Sequence, residues 1–230
     1  DVESLRDYVP TKAKVRSGSR AAASGFLIKW NARNNQRCWG FATVGHLFDN
    51  TSRRSASVRV DASTKFQCRR IKTAPLRERS DIALLQIVGT SDEIERALKS
   101  CGLIDSHDPP AIDLMTTREV LAAATQRKRG RTRSPFGAKS FVGEEVFPEG
   151  FLIGSRRLDD CIRVGRADAD TFREGTSGSP WSFRTKSGCM QVGGKAPDFK
   201  EGIGQPFIRL FDWIKVELGS TASVVSDLDS

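Results

Sequence analysis

Apolar and polar positions along this chain alternate in short runs rather than in long helical stripes. Ser24-Gly25-Phe26-Leu27-Ile28-Lys29-Trp30 and Cys38-Trp39-Gly40-Phe41-Ala42-Thr43 read as two strands joined by an Asn-rich turn from Asn31 to Gln36. Residues 1–23 are polar and basic, with one strand-like stretch near Tyr8 to Val15. Ser57-Val58-Arg59-Val60 predicts another short strand ahead of a basic region, and the nearly continuous apolar run from Ser80 to Val88 suits a buried strand. Thr90 with Glu93 three residues on has the capping-box spacing and predicts a short helix over 94–99. Residues 102–140 hold Pro109-Pro110 and a basic run, and predict a connection plus an exposed loop. Short strands follow at 151–153, 161–164, 181–183 and 189–192. Phe207, Leu210, Phe211, Ile214 and Leu218 then recur at helical spacing, with Pro206 at the first helical position and Gly219 past the end, so a terminal amphipathic helix is expected. Many short strands without an internal repeat predict an all-β sandwich or barrel.

Composition narrows this picture without deciding it. The 230 residues carry a net charge of +9, from 37 basic and 28 acidic side chains. Arg127, Lys128, Arg129, Arg131 and Arg133 crowd one short stretch. That run reads either as a patch for nucleic acid or another polyanion, or as a solvated loop. No aromatic interleaves it, so a stacking platform for single strands is not suggested. No apolar run approaches the ~20 residues that span a bilayer. The N-terminus shows neither an initiator Met nor a signal pattern, so an excised or processed piece is expected. The five cysteines are scattered and odd in number, with no Cys-x-x-Cys pair. This predicts neither a zinc site nor a disulfide framework, and favours a reducing, intracellular setting.

Candidate chemistry centres on Gly175-Thr176-Ser177-Gly178-Ser179-Pro180. Its glycines permit a tight turn that exposes the Ser177 hydroxyl, with the N–H groups of Gly175 and Ser177 aimed at a developing oxyanion. The hexapeptide alone also fits a plain turn. A nucleophilic serine needs a base, and the chain has two histidines. His107 lies in a polar loop signature, Ser106-His107-Asp108-Pro109; His46 follows a predicted strand. Asp81 begins a strongly apolar strand, where a carboxylate must be paired or hydrogen-bonded. The Nδ1–H of a histidine is one such partner.

Together, Ala42-Thr43-Val44-Gly45-His46, Asp81-Ile82-Ala83-Leu84-Leu85 and the Ser177 hexapeptide resemble, in order, the three active-site blocks of trypsin/chymotrypsin-like serine proteases. Ser24-Gly25-Phe26-Leu27-Ile28 is similar to the strand before the histidine hairpin in the HtrA and glutamyl-endopeptidase branches. Phe211-Asp212-Trp213-Ile214-Lys215 is similar to the closing helix of the trypsin fold. The resemblance implies two six-stranded antiparallel β-barrels with a C-terminal α-helix. Residues 1–110 would carry His46 and Asp81, and residues 111–230 would carry Ser177, as one protease domain. It implies a serine endopeptidase acting through an acyl-enzyme, with His46 as base, Asp81 as its orienter, and no metal or cofactor.

The chain departs from trypsin in informative places. Thr176 stands where trypsin has an aspartate that pairs with a newly cut N-terminus, so zymogen activation of that kind is not implied. Leu47 replaces the disulfide cysteine that follows the histidine in secreted trypsins. Thr171 occupies the pocket-floor position, without a charge to select Lys or Arg. Gln191, Val192, Gly193 and Gly194 are expected to form the pocket wall, and no histidine follows His107 to recognise glutamate or glutamine. Two rival settings within the enzyme class are a viral polyprotein protease and a bacterial protease fused to regulatory modules. A rival from another class is a latent or inactive module that binds a polyanion or protein partner through the basic surface.

Overall fold

The computed structural model describes residues 13–17, 21–32, 34–49, 52–74, 79–109, 111, 113–134, 137–147, 151–153, 156–166, 176–183, 186–194, 201–218 and 223–224. The first sheet is built from β1 (Ala13–Ser17), β2 (Ala21–Asn31), β3 (Arg37–Thr43), β4 (Ser55–Arg59), β5 (Lys65–Thr73) and β6 (Ala83–Ile87). Their order is β1-β4-β5-β6-β3-β2, and β2 pairs back with β1, which closes a six-stranded barrel. Strand β5 has no counterpart among the expected strands, because its solvent-facing positions, Lys65, Gln67, Arg69 and Lys72, are polar and mostly basic. Phe66 and Cys68 nevertheless alternate inward with period two.

Helix α1 (Ser91–Ser100) leaves the barrel with the expected capping box, in which Thr90 and Glu93 satisfy one another's backbone N–H. The stretch 102–140 departs from the loop expected of it. It contains β7 (Asp113–Leu114), α2 (Thr117–Thr125) capped by a second box of Thr116 and Glu119, β8 (Arg129–Ser134) and the start of β9 (Gly137–Phe147). The basic run is therefore a turn leading into a strand. Gly130 and Thr132 face inward, Gly130 against the ring of Phe141 and Thr132 donating to the Pro180 carbonyl at 2.8 Å, so the arginines alternate with them.

The remaining strands are β10 (Phe151–Ile153) and β11 (Arg156–Leu158), which form a separate hairpin, then β12 (Cys161–Arg166), β13 (Pro180–Phe183), β14 (Lys186–Gly194) and β15 (Glu201–Pro206). The second sheet runs β13-β8-β9-β12-β15-β14, and β13 pairs with β14 to close it; β7 adds a short parallel edge to β14. Pro206 ends β15 instead of starting the helix, and α3 (Phe207–Leu218) follows directly. Last, β16 (Ser223–Val224) returns to pair with β2 of the first sheet.

Each barrel has its own apolar filling, and a third cluster joins them. Leu27, Trp39, Phe41, Leu85 and Leu98 fill the first, and Phe141, Ile162, Val164 and Trp181 fill the second. The third packs Phe26, Ile28, Ile82 and Leu84 of the first barrel against Met190, Val192, Ile203 and the α3 residues Phe207, Leu210 and Ile214. Strands β2 and β6 are thus buried on both faces, which is why the run from Ser80 reads as continuously apolar.

Candidate active site

His46 lies on one 3-10 turn, Gly45–Phe48, immediately after β3. The turn can lie against the segment before β6 because position 45 has no side chain. A Cβ there would stand 3.0 Å from the Ile82 carbonyl oxygen and 3.1 Å from an Arg156 nitrogen. Asp81, fully buried, meets this turn twice. Its Oδ1 accepts from the His46 backbone N–H at 2.7 Å, and its Oδ2 lies 2.6 Å from His46 Nδ1. A carboxylate at Nδ1 holds the proton there and leaves the Nε2 lone pair free in the neutral ring. His46 keeps 32% of its side chain exposed, so the ring is open to solvent on one side.

The residues that hold Asp81 come from both barrels. Gln205 of β15 bridges the segment before β6, accepting from the Asp81 N–H at 3.1 Å and donating to the Arg79 carbonyl at 2.8 Å. Arg79 itself has φ +54°, a left-handed conformation that a non-glycine residue keeps only where neighbours enforce it. Nothing in the sequence around Gln205 or Arg156 marks them, since their partners lie far away along the chain.

The opposing charges on His46 do not cancel. Burial pulls its pKa down, but the hydrogen bond and charge of Asp81, aided by Asp49, outweigh burial and the nearby Arg156 cation, so the net shift is upward from 6.5. His107 is elsewhere, 72% exposed and paired with Glu95. The five cysteines are free thiols, and burial pushes Cys68 up to about 12 and raises Cys161 and Cys189 well above the ordinary thiol range, so these sulfurs stay protonated.

Ser177 sits in a tight turn between the barrels. Ser179 N–H donates to the Thr176 carbonyl at 3.0 Å, with Ser177 and Gly178 at the corner and Gly178 at φ +96°. The Ser177 carbonyl accepts from the Ser24 N–H at 2.7 Å, and Gly178 N–H donates to Gln191 O at 2.6 Å. The Ser24 carbonyl also accepts from the Thr43 hydroxyl at 2.7 Å. Thr43 is three residues before His46, so the turn of Ser177 docks at the end of the first barrel where His46 emerges.

Of the expected pocket residues, Thr171 lies outside the described residues, as does Gly175 of the oxyanion pair. Gln191 is 2% exposed and its side-chain amide donates to Thr176 Oγ1 at 2.7 Å, so it props the Ser177 turn from behind. Val192 is buried in the inter-barrel cluster. The register of β14 against β15 shifts between Gln191 and Gly193, a bulge at Val192, after which Gly193 and Gly194 pair with Ile203 and Gly202. Among the described residues no group of three or more His, Cys, Asp or Glu side chains is placed to hold a metal, and no helix is long and apolar enough to cross a membrane.

No family model and no curated protein sequence matches the chain. Solved structures do. Rv3671c protease from M. tuberculosis in its active form superposes with a TM-score of 0.60 at 13% identity, over 96% of this chain and 84% of its own. Thermobifida fusca Protease A gives 0.57 at 13% identity, over 94% and 98%. The HtrA-type protease AlgW bound to a tripeptide gives 0.61 at 11% identity, over 95% of this chain and 64% of its own. The fold is that of the trypsin-like serine proteases. In this fold the His46 turn and Asp81 belong to the first barrel, and the Ser177 turn precedes β13 of the second.

Proposed function

We propose that this protein is a serine endopeptidase in which Ser177 is the nucleophile, His46 the general base and Asp81 its orienter. The observation that carries the reading is the His46–Asp81 pair. A fully buried carboxylate grips both the Nδ1 and the backbone N–H of a part-exposed histidine, at the point where the Ser177 turn docks.

The chemistry follows from that placement. Neutral His46 takes the Ser177 Oγ proton through Nε2 as the oxygen attacks a peptide carbonyl. The oxyanion that forms is met by the N–H groups of Gly175 and Ser177. His46, now charged and stabilised by Asp81, protonates the leaving amine, and water then hydrolyses the acyl-enzyme by the same route in reverse. Thr176 and Gln191 form a neutral hydrogen bond at the position where trypsin uses a charged pair with its new N-terminus. The Ser177 turn therefore does not depend on trypsin's insertion of a newly cut N-terminus. The substrate is a polypeptide, with Gly193 and Gly194 on the pocket wall, Thr171 at its floor and room for a medium or large side chain.

Hydrolysis of an unbiased peptide library by the wild type, Ser177→Ala, His46→Ala and Asp81→Asn tests this. Cleavage should vanish in the first two and fall by about 10⁴-fold in the third, as in other triads of this kind. Cleavage that survives Ser177→Ala unchanged would sink the reading. A second reading, a polyanion-binding module, draws on exposed Arg127, Lys128 and Arg129 at the start of β8. Retention on a polyanion column that collapses with salt, in a chain without peptidase activity, would favour it.

A further inference from the structure

We propose that Arg156 is a positioning residue for the His46–Asp81 pair, supplied by the β10–β11 hairpin. The proposal rests on the reading of that pair as base and orienter. Arg156 is 2% exposed, and a guanidinium at that depth persists only when its charge and its N–H groups are matched. Its fork grips Asp49 at both oxygens, 3.1 Å from Nε to Oδ2 and 2.7 Å from Nη2 to Oδ1. Nη1 donates to the carbonyls of Ala74 and Ser80, at 2.7 and 3.0 Å. Nε lies 3.6 Å from Asp81 Oδ1, too far for a hydrogen bond and close enough for strong attraction.

These partners define the task. Asp49 caps the turn that carries His46, and its N–H donates back to the His46 carbonyl. Ala74 and Ser80 bracket the segment that delivers Asp81. One side chain therefore ties the His46 turn to the Asp81 segment. It does so from a hairpin that is not part of the first barrel.

Arg156 also sets the charge that His46 feels. The charged groups acting on His46 are Asp81 beside β6, Asp49 on its own turn and Arg156 on β11. The two carboxylates raise its pKa and the guanidinium lowers it. Arg156 thus opposes the two carboxylates and limits the upward shift that they impose on the base.

The test is proton NMR titration of the ring signals of the chain's two histidines, with His107 as internal control. Arg156→Gln should move the His46 midpoint up, Arg156→Lys should leave it near the wild-type value, and Asp49→Asn should move it down. In peptide hydrolysis, Arg156→Gln should lower kcat by about 10- to 100-fold with little change in KM, because the residue aligns the base and does not touch substrate. A His46 midpoint that stays put in Arg156→Gln, or moves alike in the Lys and Gln variants, would overturn the proposal. If Arg156→Gln does not fold, the Asp49→Asn titration decides instead, and an unmoved or raised midpoint there overturns it. The titration needs no turnover. An inactive wild type would therefore refute the peptidase reading, while a flat titration would refute the role of Arg156.

Discussion

Gly178 shows how much one residue decides. Its φ of +96° belongs to the region glycine enters freely, and a Cβ there would lie 1.9 Å from the Ser24 carbonyl oxygen. The clash is with backbone, so no rotamer relieves it. Gly178→Ala should therefore cost at least about 2 kcal/mol and remove activity together with stability. Gly102, also at positive φ but with open space for 4 Å around the point where a Cβ would stand, is the control. Gly102→Ala should cost only about 1–2 kcal/mol, as judged by denaturant midpoints. His46 makes the pH prediction. Only the neutral ring accepts a proton, so activity should rise with pH through a midpoint above 6.5. Stability runs the other way. The charged His46–Asp81 pair contributes fully below about 6.5, and that contribution is lost as pH rises through the raised folded value. Thermal midpoints of wild type and His46→Ala across this range should converge at high pH; a gap that widens with pH would contradict the assignment. At this scale the candidates His46, Asp81 and Ser177 can be picked out from the sequence because each sits in a short block with its own local logic, and the structure brings His46 and Asp81 into contact. Arg156 and Gln205 are not, because their roles exist only once segments distant in sequence are brought together.

Elements are legible where their own pattern is undisturbed. Strands β2 and β3, helix α1 and helix α3 follow from runs and caps the chain displays openly. Strands β5 and β8 are hidden by charge, and helix α2 by the proline pair and the basic run that flank it. In β8 the arginines alternate with Gly130 and Thr132, a period-two strand pattern that composition disguises as a basic loop. The box of Thr116 and Glu119 carries the signal for α2, with the same spacing as the one that marks α1. Thr116→Ala should cost about 1 kcal/mol in a denaturant titration. It should leave peptide hydrolysis intact, since α2 packs on β9 of the second barrel, away from His46.

The whole molecule depends on the cluster that joins the barrels. Phe26 of β2 meets Phe207 of α3 edge to face at 4.9 Å, and the surrounding side chains come from both sheets. Arg79, from the first barrel, and Arg209, from α3, both reach Asp159 after β11, adding a polar tie beside the apolar one. The proposed site, which takes His46 and Asp81 from one barrel and Ser177 from the other, would be only as sound as this seam. Phe207→Ala should cost about 3–5 kcal/mol and weaken the site along with the fold, with fluorescence and circular dichroism reporting one shared transition. The central claim is that these surfaces meet to activate Ser177. Intact-mass analysis after incubation with a fluorophosphonate, with peptide mapping, tests it most directly. One adduct on Ser177, absent from His46→Ala and slowed in Asp81→Asn, is the expected result. A folded wild type that takes up no label, or takes it up at another residue, would contradict the account.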